Sequence, residues 1–420
     1  MDRRKIRIAI TGATGLLGRN LFFEFIKQNI SSLDEMEILV LGRGKDDLEI
    51  KSRFEEIIMT DGLAYIDGGE SQLNNVKDYY ASNVKCINMD LALDGLGISQ
   101  EDYEILARDP IDIFFHIAAM TDFRSTPEVA FTLKRINVDG TRQILKLISA
   151  IRVKEFVFVG TAYSCGMTTG EISPGYINME QKFRNPYEVT KTEAEREVRE
   201  FARKNKPIRF RYFRPSTISG RLIEPPLGAI NKFDVFYSWA GFFLRLKLKE
   251  GIDWDKRYDD PLQREMRILY SQASGLNIVP ADYAAKIMYQ VCMQKIPGES
   301  FHLVNERETP HKVYIPVMLE YVNFKGATHV ETVPDNMNRL EQLYYKTVGA
   351  VFTPYITSRP MLFDTGNLEN AKKKSGVVCP EVENGSFSVL MDYAKERNFG
   401  LDEKKGSKRG VVGEPQLGKV

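Results

Sequence analysis

The chain has 420 residues, of which 43% are hydrophobic, and a net charge of +1 from 58 basic and 57 acidic side chains. This ordinary globular composition excludes a collagenous, wholly disordered or coiled-coil chain, and the balanced charge gives nucleic acid no electrostatic hold. No apolar run reaches the roughly 20 residues of a membrane span. The four cysteines and four histidines show no ligand or Cys-x-x-Cys spacing, which predicts no metal site and suits a cytoplasmic protein.

Short apolar runs at 6–11, 37–41, 84–90, 112–118, 155–161 and 208–213 read as strands, several apolar on both faces as in a covered parallel sheet. Helical patterns at 16–28, 127–151 and 186–204 lie between them. The alternation predicts an α/β fold with a doubly wound parallel sheet. Aromatic-rich 223–272 breaks the pattern and reads as an inserted cap. The expected division is a nucleotide-binding domain over 1–222, to which 273–300 returns. A smaller C-terminal α+β substrate lobe takes 223–272 and 301–400, and a disordered tail takes 402–420.

The first strand runs into Thr11-Gly12-Ala13-Thr14-Gly15-Leu16-Leu17-Gly18. Gly12 permits a tight turn, Gly15 lets backbone approach a pyrophosphate, and Gly18 lets the helix pack on the sheet. Helix N–H groups and dipole then face the phosphates, so the segment predicts a Rossmann dinucleotide site. After the second strand comes Gly42-Arg43, where an NAD site usually carries an acid. A guanidinium suits a 2′-phosphate, which favours NADPH (NADP+).

Tyr187 and Lys191 share one helix face. Chance alone yields a Tyr-x-x-x-Lys pair or so in this composition, and Tyr321/Lys325 is a second. Position separates them: Tyr187 opens a helix directly after the fifth strand, behind Asn185-Pro186. A phenol beside an ammonium can protonate an oxyanion, because the cation lowers its ordinary pKa of about 10. Lys191 can also hold the nicotinamide ribose. Thr161, at the end of the fifth strand, is the third candidate, able to hydrogen-bond a substrate carbonyl. Ser164 is a weaker rival.

This ordered set resembles the extended short-chain dehydrogenase/reductase superfamily over roughly residues 5 to 305. Further segments match it: His116-Ile117-Ala118-Ala119, Asn137-Val138-Asp139-Gly140-Thr141, Phe213-Arg214-Pro215-Ser216 and Ile278-Val279-Pro280-Ala281-Asp282-Tyr283. The resemblance implies that Ala118, Ala119, Pro215 and Ser216 border the cofactor. Within the superfamily, Asn88-Met89-Asp90-Leu91, Gly160-Thr161-Ala162-Tyr163 and Asn185 through Lys191 are similar to the thioester-reductase and fatty acyl-CoA reductase branch. By that likeness Asp90 and Leu91 lie near the adenine. Gly160 departs from the Ser common before the catalytic Thr.

The implied activity is NADPH-dependent hydride transfer to a carbonyl, an acyl thioester on CoA or a carrier protein, or an aldehyde. Tyr187 would be the proton donor. A nucleotide-sugar epimerase, dehydratase or reductase, or a hydroxysteroid-type dehydrogenase, would use the same Thr-Tyr-Lys set. A non-catalytic NADP(H)-binding protein is the reading from another class. Superfamily members often dimerise through helices flanking the sheet, so a homodimer is among the expectations. The aromatic insert (Phe233, Phe236, Tyr237, Trp239, Phe242, Phe243) reads as acyl channel or lobe core. Lys232, Arg245, Lys247 and Lys249 are candidate contacts for a CoA or phosphopantetheine phosphate.

Overall fold

Near-continuous apolar runs do form the central strands. The computed structural model describes residues 4–44, 49–66 and 70–402, so 403–420 of the expected tail lies outside the described residues. Seven parallel strands make the main sheet: β1 (Ile6–Thr11), β2 (Met36–Gly42), β3 (Val84–Asn88), β4 (Ile111–His116), β5 (Val153–Val159), β6 (Arg209–Pro215) and β7 (Ser300–Leu303). Their order is β7-β6-β5-β4-β1-β2-β3.

The strand period of two divides the core between the sheet's faces. Ile8, Ile10, Ile38, Val40 and Val157 are buried on one face. They pack with Leu21, Phe22 and Phe25 of α1 (Leu16–Gln28). Ala9, Leu39, Leu41, Phe156 and Phe158 point the other way. There they meet Ile144 and Ile148 of α2 (Gly140–Ala150) and Ala194 and Val198 of α3 (Pro186–Lys204). Each such buried aliphatic contributes about 1.5–3 kcal/mol of transfer free energy, which is why both faces must be covered.

The chain forms two compact units. Of the described residues, the first holds those within 4–229, 277–308 and 358–382; the second holds 230–276, 309–357 and 383–402. The boundaries therefore depart from those expected. Residues 301–308 stay with the sheet because Phe301 and Leu303 of β7 pair with Phe213 and Pro215 of β6. Residues 358–382 return because Leu362–Phe363 pairs with Glu171–Ile172, and Leu368 and Ala371 join the sheet's core.

The second unit is α+β. Its helix α4 (Phe236–Lys249) buries Trp239 and Phe243, and the Trp239 indole N–H donates to the Tyr344 hydroxyl at 3.0 Å. Leu262–Leu269 and Phe324–Val330 pair in parallel beside it. Among the described residues no helix is long and apolar enough to cross a membrane.

The expected helix over 127–151 is interrupted. A π-helical turn, Lys134–Asp139, separates Pro127–Leu133 from α2. The expected fifth strand is displaced by two residues, spanning Val153–Val159 rather than 155–161. Gly160 leaves the ladder, donating its N–H to the Phe213 carbonyl, and Thr161 caps the 3-10 turn Ala162–Cys165.

Candidate active site

Parallel strands bring all their C-terminal ends to one edge, and the predicted cofactor and Thr-Tyr-Lys residues lie there. Thr11 ends β1; Gly12, Thr14 and Gly15 form the loop; Leu16, Leu17 and Gly18 open α1. Arg43 follows β2, Asp90 and Leu91 follow β3, and Ala118 and Ala119 follow β4. Thr161 follows β5, Tyr187 and Lys191 lie on α3, Pro215 ends β6 and Ser216 follows it.

The glycine loop is tightly folded on its neighbours. Gly12 has φ +76, and a Cβ on it would stand 2.8 Å from the Ala118 nitrogen. A Cβ on Gly18 would stand 2.2 Å from the Gly12 carbonyl oxygen. The loop therefore leaves its backbone bare where α1 begins, and Gly15 is solvent-exposed at the helix N-cap. These residues fit a dinucleotide diphosphate: no side chain blocks approach, and the helix's free N–H groups and dipole face the loop. Gly18→Ala should push α1 off the loop, costing about 1–3 kcal/mol by overpacking. Thermal unfolding and a dinucleotide titration check this together: both stability and affinity should fall.

At the β2 end, the Arg43 guanidinium lies 3.8 Å from the Asp90 carboxylate and is largely exposed. Such a surface pair holds Arg43 weakly, about 0–1 kcal/mol, so an incoming phosphate can replace Asp90. Arg53, which sequence reasoning missed, donates to the Arg43 carbonyl at 3.1 Å and brings a second guanidinium to this corner. Nothing in its surrounding sequence marks it, since it lies in a helix, Ile50–Ile57, that the strand-helix pattern leaves unassigned. Leu91 is buried against the start of α2, where a Cβ on Gly140 would lie 2.8 Å from the Leu91 Cβ.

Behind the crevice runs a fixed hydrogen-bond chain. The Thr11 hydroxyl accepts from the Ile117 and Ala118 N–H groups, both at 3.1 Å, so its own proton goes to His116 Nδ1 at 3.0 Å. Nε2 of that ring then carries the hydrogen and donates to Thr141 Oγ1 at 3.1 Å, which donates to the Asn137 carbonyl at 2.6 Å. The Asn137 side chain clamps Met120 through its N–H (2.8 Å) and carbonyl (3.0 Å). Its amide also reaches the Thr190 hydroxyl at 3.3 Å, on α3. Asn137 was legible only as part of a matching segment. It lies in the π-turn, the kind of irregularity often found at functional sites.

Burial lowers the His116 pKa to about 3, with the nearby Lys191 a second cause. His302 and His311 are likewise held down to about 4, chiefly by burial. The unfolded chain takes up these protons near the ordinary value of 6.5 while the native state refuses them. The unfolded state thus binds more protons between about 6.5 and those depressed values, so stability rises with pH there and is lost on acidification. Denaturant midpoints should fall as pH drops below about 6.5, before the carboxylates titrate; a flat profile would contradict the buried neutral imidazoles.

Tyr187 and Lys191 owe their place to the start of α3. Asn185 caps the helix by accepting from the Glu188 N–H at 3.1 Å, and Pro186 occupies the first helical position. The Glu188 carboxylate returns to the Arg184 N–H at 2.9 Å and the Arg184 guanidinium at 3.2 Å. The Tyr187 ring is half-buried and meets the edge of Phe123 at 5.2 Å between centroids. Phe123 was not read from the sequence, because a lone Phe in a polar loop carries no periodic signal.

Lys191 is buried, donates to the Val159 carbonyl at 2.7 Å and sits 4.8 Å over the Phe158 ring. Desolvation lowers its pKa to about 8, against the raising effect of Glu195. The Val159 carbonyl lies two residues before Thr161, so β5's end and α3 converge here. The Thr161 hydroxyl makes only a 3.5 Å bond to the Pro215 carbonyl and accepts from the Tyr163 N–H at 3.3 Å, leaving its proton readily redirected. Ser216, by contrast, is committed: its buried hydroxyl donates to Asn277 at 2.7 Å. Ser164 is fully buried.

Among the candidate phosphate contacts of the insert, Lys247 is excluded. Lys247 is fully buried and spends its ammonium on the Val322 carbonyl at 2.9 Å, closing a helix C-terminus. Lys232 pairs with Asp234 at 2.8 Å. Phe236, Tyr237, Trp239 and Phe243 are buried as the second unit's core.

Comparison with known proteins shows the family and the fold. The sequence pattern of the male sterility protein family matches residues 10–288. A linear gramicidin synthase of Brevibacillus parabrevis is 24% identical over 91% of this chain and 7% of that protein. The fatty acyl-CoA reductase wat of Drosophila melanogaster is 26% identical over 53% of this chain and 45% of that protein. This chain thus spans less than half the length of these relatives. The terminal R domain of the myxalamid PKS-NRPS biosynthetic pathway shares the fold, with a TM-score of 0.68 at 20% identity over 95% of this chain and 93% of that one. With its family pattern matched over 10–288, the chain belongs to the male sterility protein family.

Proposed function

We propose that this chain reduces an acyl thioester, carried on CoA or a carrier protein, with NADPH. The observation that carries the reading is the convergence of Lys191 on the Val159 carbonyl, two residues before Thr161 and one helical turn from Tyr187. The relatives include a fatty acyl-CoA reductase, which supports an acyl substrate.

NADPH, when bound, supplies the hydride that reaches the carbonyl carbon. Gly12, Thr14, Gly15 and the first turn of α1 from Leu16 to Gly18 would hold its diphosphate. Arg43, with Arg53 beside it, would take the 2′-phosphate in place of Asp90. Ala118 and Ala119 would border the cofactor with small side chains, backed by the Thr11–His116 chain. Thr161 donates a hydrogen bond to the substrate carbonyl oxygen as charge develops and keeps its proton. Tyr187 gives its phenolic proton to that oxygen, yielding a neutral hemithioacetal. Lys191 holds the nicotinamide ribose, and its ammonium stabilises the phenolate left on Tyr187. Collapse of the hemithioacetal releases the thiol and an aldehyde.

The test is cofactor oxidation against a panel of medium- and long-chain acyl-CoAs, their aldehydes and nucleotide sugars, each with NADPH and NADH. Consumption of NADPH with an acyl-CoA or aldehyde is expected. Conversion of a nucleotide sugar without net cofactor use would replace this reading with the epimerase or dehydratase one.

A further inference from the structure

One carboxylate touches all three segments that converge at this site. Glu195 lies one turn beyond Lys191 on α3 and is fully buried. It accepts from Arg214 Nε at 2.9 Å and Nη2 at 2.8 Å, and from Arg199 Nε at 2.9 Å and Nη2 at 2.8 Å. Its Oε2 fills the space beside Gly160, where an added Cβ would stand only 2.8 Å away. Gly160 joins Val159, the acceptor of Lys191, to Thr161. Gly160 also donates at 2.8 Å to the Phe213 carbonyl, directly before Arg214, and the Thr161 hydroxyl bonds Pro215, directly after it.

We infer that Glu195 is a positioning residue. Gripped by Arg214 and Arg199 in the space that Gly160 leaves open, it fixes α3 against the ends of β5 and β6, so that Lys191 and Thr161 keep one mutual geometry. This rests on the proposed use of those two residues. The carboxylate can yield to a side chain at 160 only by breaking its four hydrogen bonds to the two guanidiniums. Otherwise a methyl there displaces the Gly160–Thr161 backbone relative to α3. Such sub-ångström errors in a reacting constellation are costly, up to about 100-fold in rate for 1 Å.

The groups around Lys191 are Tyr187 and Glu195 on its own helix, the neutral His116 from β4 and the Phe158 ring from β5. Of these, Glu195 carries the negative charge that favours the ammonium. Glu195→Gln keeps the shape and removes that charge.

Three variants test the inference: G160A, the double variant G160A/E195D, whose shorter acid withdraws from the methyl, and E195Q. With the best substrate of the panel, G160A should lose about 10- to 100-fold in kcat with KM held, and the double variant should recover part of the loss. NADPH affinity against pH, which needs no acyl substrate, should show the alkaline fall shifted to lower pH in E195Q. Wild-type kcat in G160A, or an unshifted profile in E195Q, would overturn the positioning role. So would losses that merely follow the folded fraction. If E195Q fails to fold, the two alanine-bearing variants decide. If the wild type reduces no thioester or aldehyde, the functional reading falls, and the E195Q binding profile still decides this one.

Discussion

Tyr187→Phe should cut thioester reduction by about 100- to 10,000-fold, the range lost with a positioned general acid, while NADPH binds nearly as before. The substitution removes one oxygen and keeps everything that places the ring. The Asn185 cap, Pro186 at the first helical position and the edge contact with Phe123 all survive. Lys191 keeps its bond to the Val159 carbonyl, so the ribose contact assigned to it is preserved. What disappears is the proton for the oxyanion. Thr161 does not replace it, because an aliphatic hydroxyl can donate a hydrogen bond but is too weak an acid to give up its proton. Parallel measurements of turnover and of NADPH fluorescence enhancement separate the two effects. Normal turnover in the variant would remove Tyr187 as the acid; lost binding would assign it a holding role instead.

Arg43→Ala should raise the NADPH Kd by about 10- to 100-fold and leave NADH almost unaffected. A charge-assisted hydrogen bond to phosphate contributes about 1.5–3 kcal/mol, and each 1.4 kcal/mol is tenfold in affinity. The local arrangement adds a second reason. Arg43 shields Asp90, 3.8 Å away. Once it is gone, the carboxylate faces the cofactor alone, repelling a 2′-phosphate and offering an acceptor to a 2′-hydroxyl. Arg53 remains beside the Arg43 backbone and should preserve some NADPH preference. Equal losses for both cofactors would show that Arg43 does not read the 2′-phosphate.

Much of this architecture is legible in the residues, and the exceptions have physical causes. The bounds of α1 and α3 follow from signals at their own ends: Gly15 before the first, Asn185-Pro186 before the second. β7 carried no such signal. Ser300-Phe301-His302-Leu303 is four residues long and half polar, and it is buried only because β6 and the returning segment 358–382 cover it. His302 donates to the Asp364 carbonyl at 3.1 Å within that returning segment, a partner 62 residues away. The π-turn at Lys134–Asp139 breaks no periodicity visible in the sequence, yet it contains Asn137. Lys247 shows the converse: a lysine in a basic stretch reads as solvated, and only the packing of α4 reveals a buried ammonium on a helix end. Thr161 reads from the sequence as a candidate, but the carboxylate that lies against Gly160 beside it, 35 residues after that glycine, is a neighbour that no local pattern encodes.

The central claim is hydride transfer to a thioester carbonyl, and one measurement reaches it directly. The protein is incubated with an acyl-CoA and NADPH deuterated on the nicotinamide ring, and the products are analysed for free thiol and isotope. The account predicts one thiol released for each aldehyde formed, with deuterium on the former carbonyl carbon, and none of this in Tyr187→Phe. Thiol release that does not require NADPH, or NADPH consumption with no deuterium on the acyl product, would contradict it.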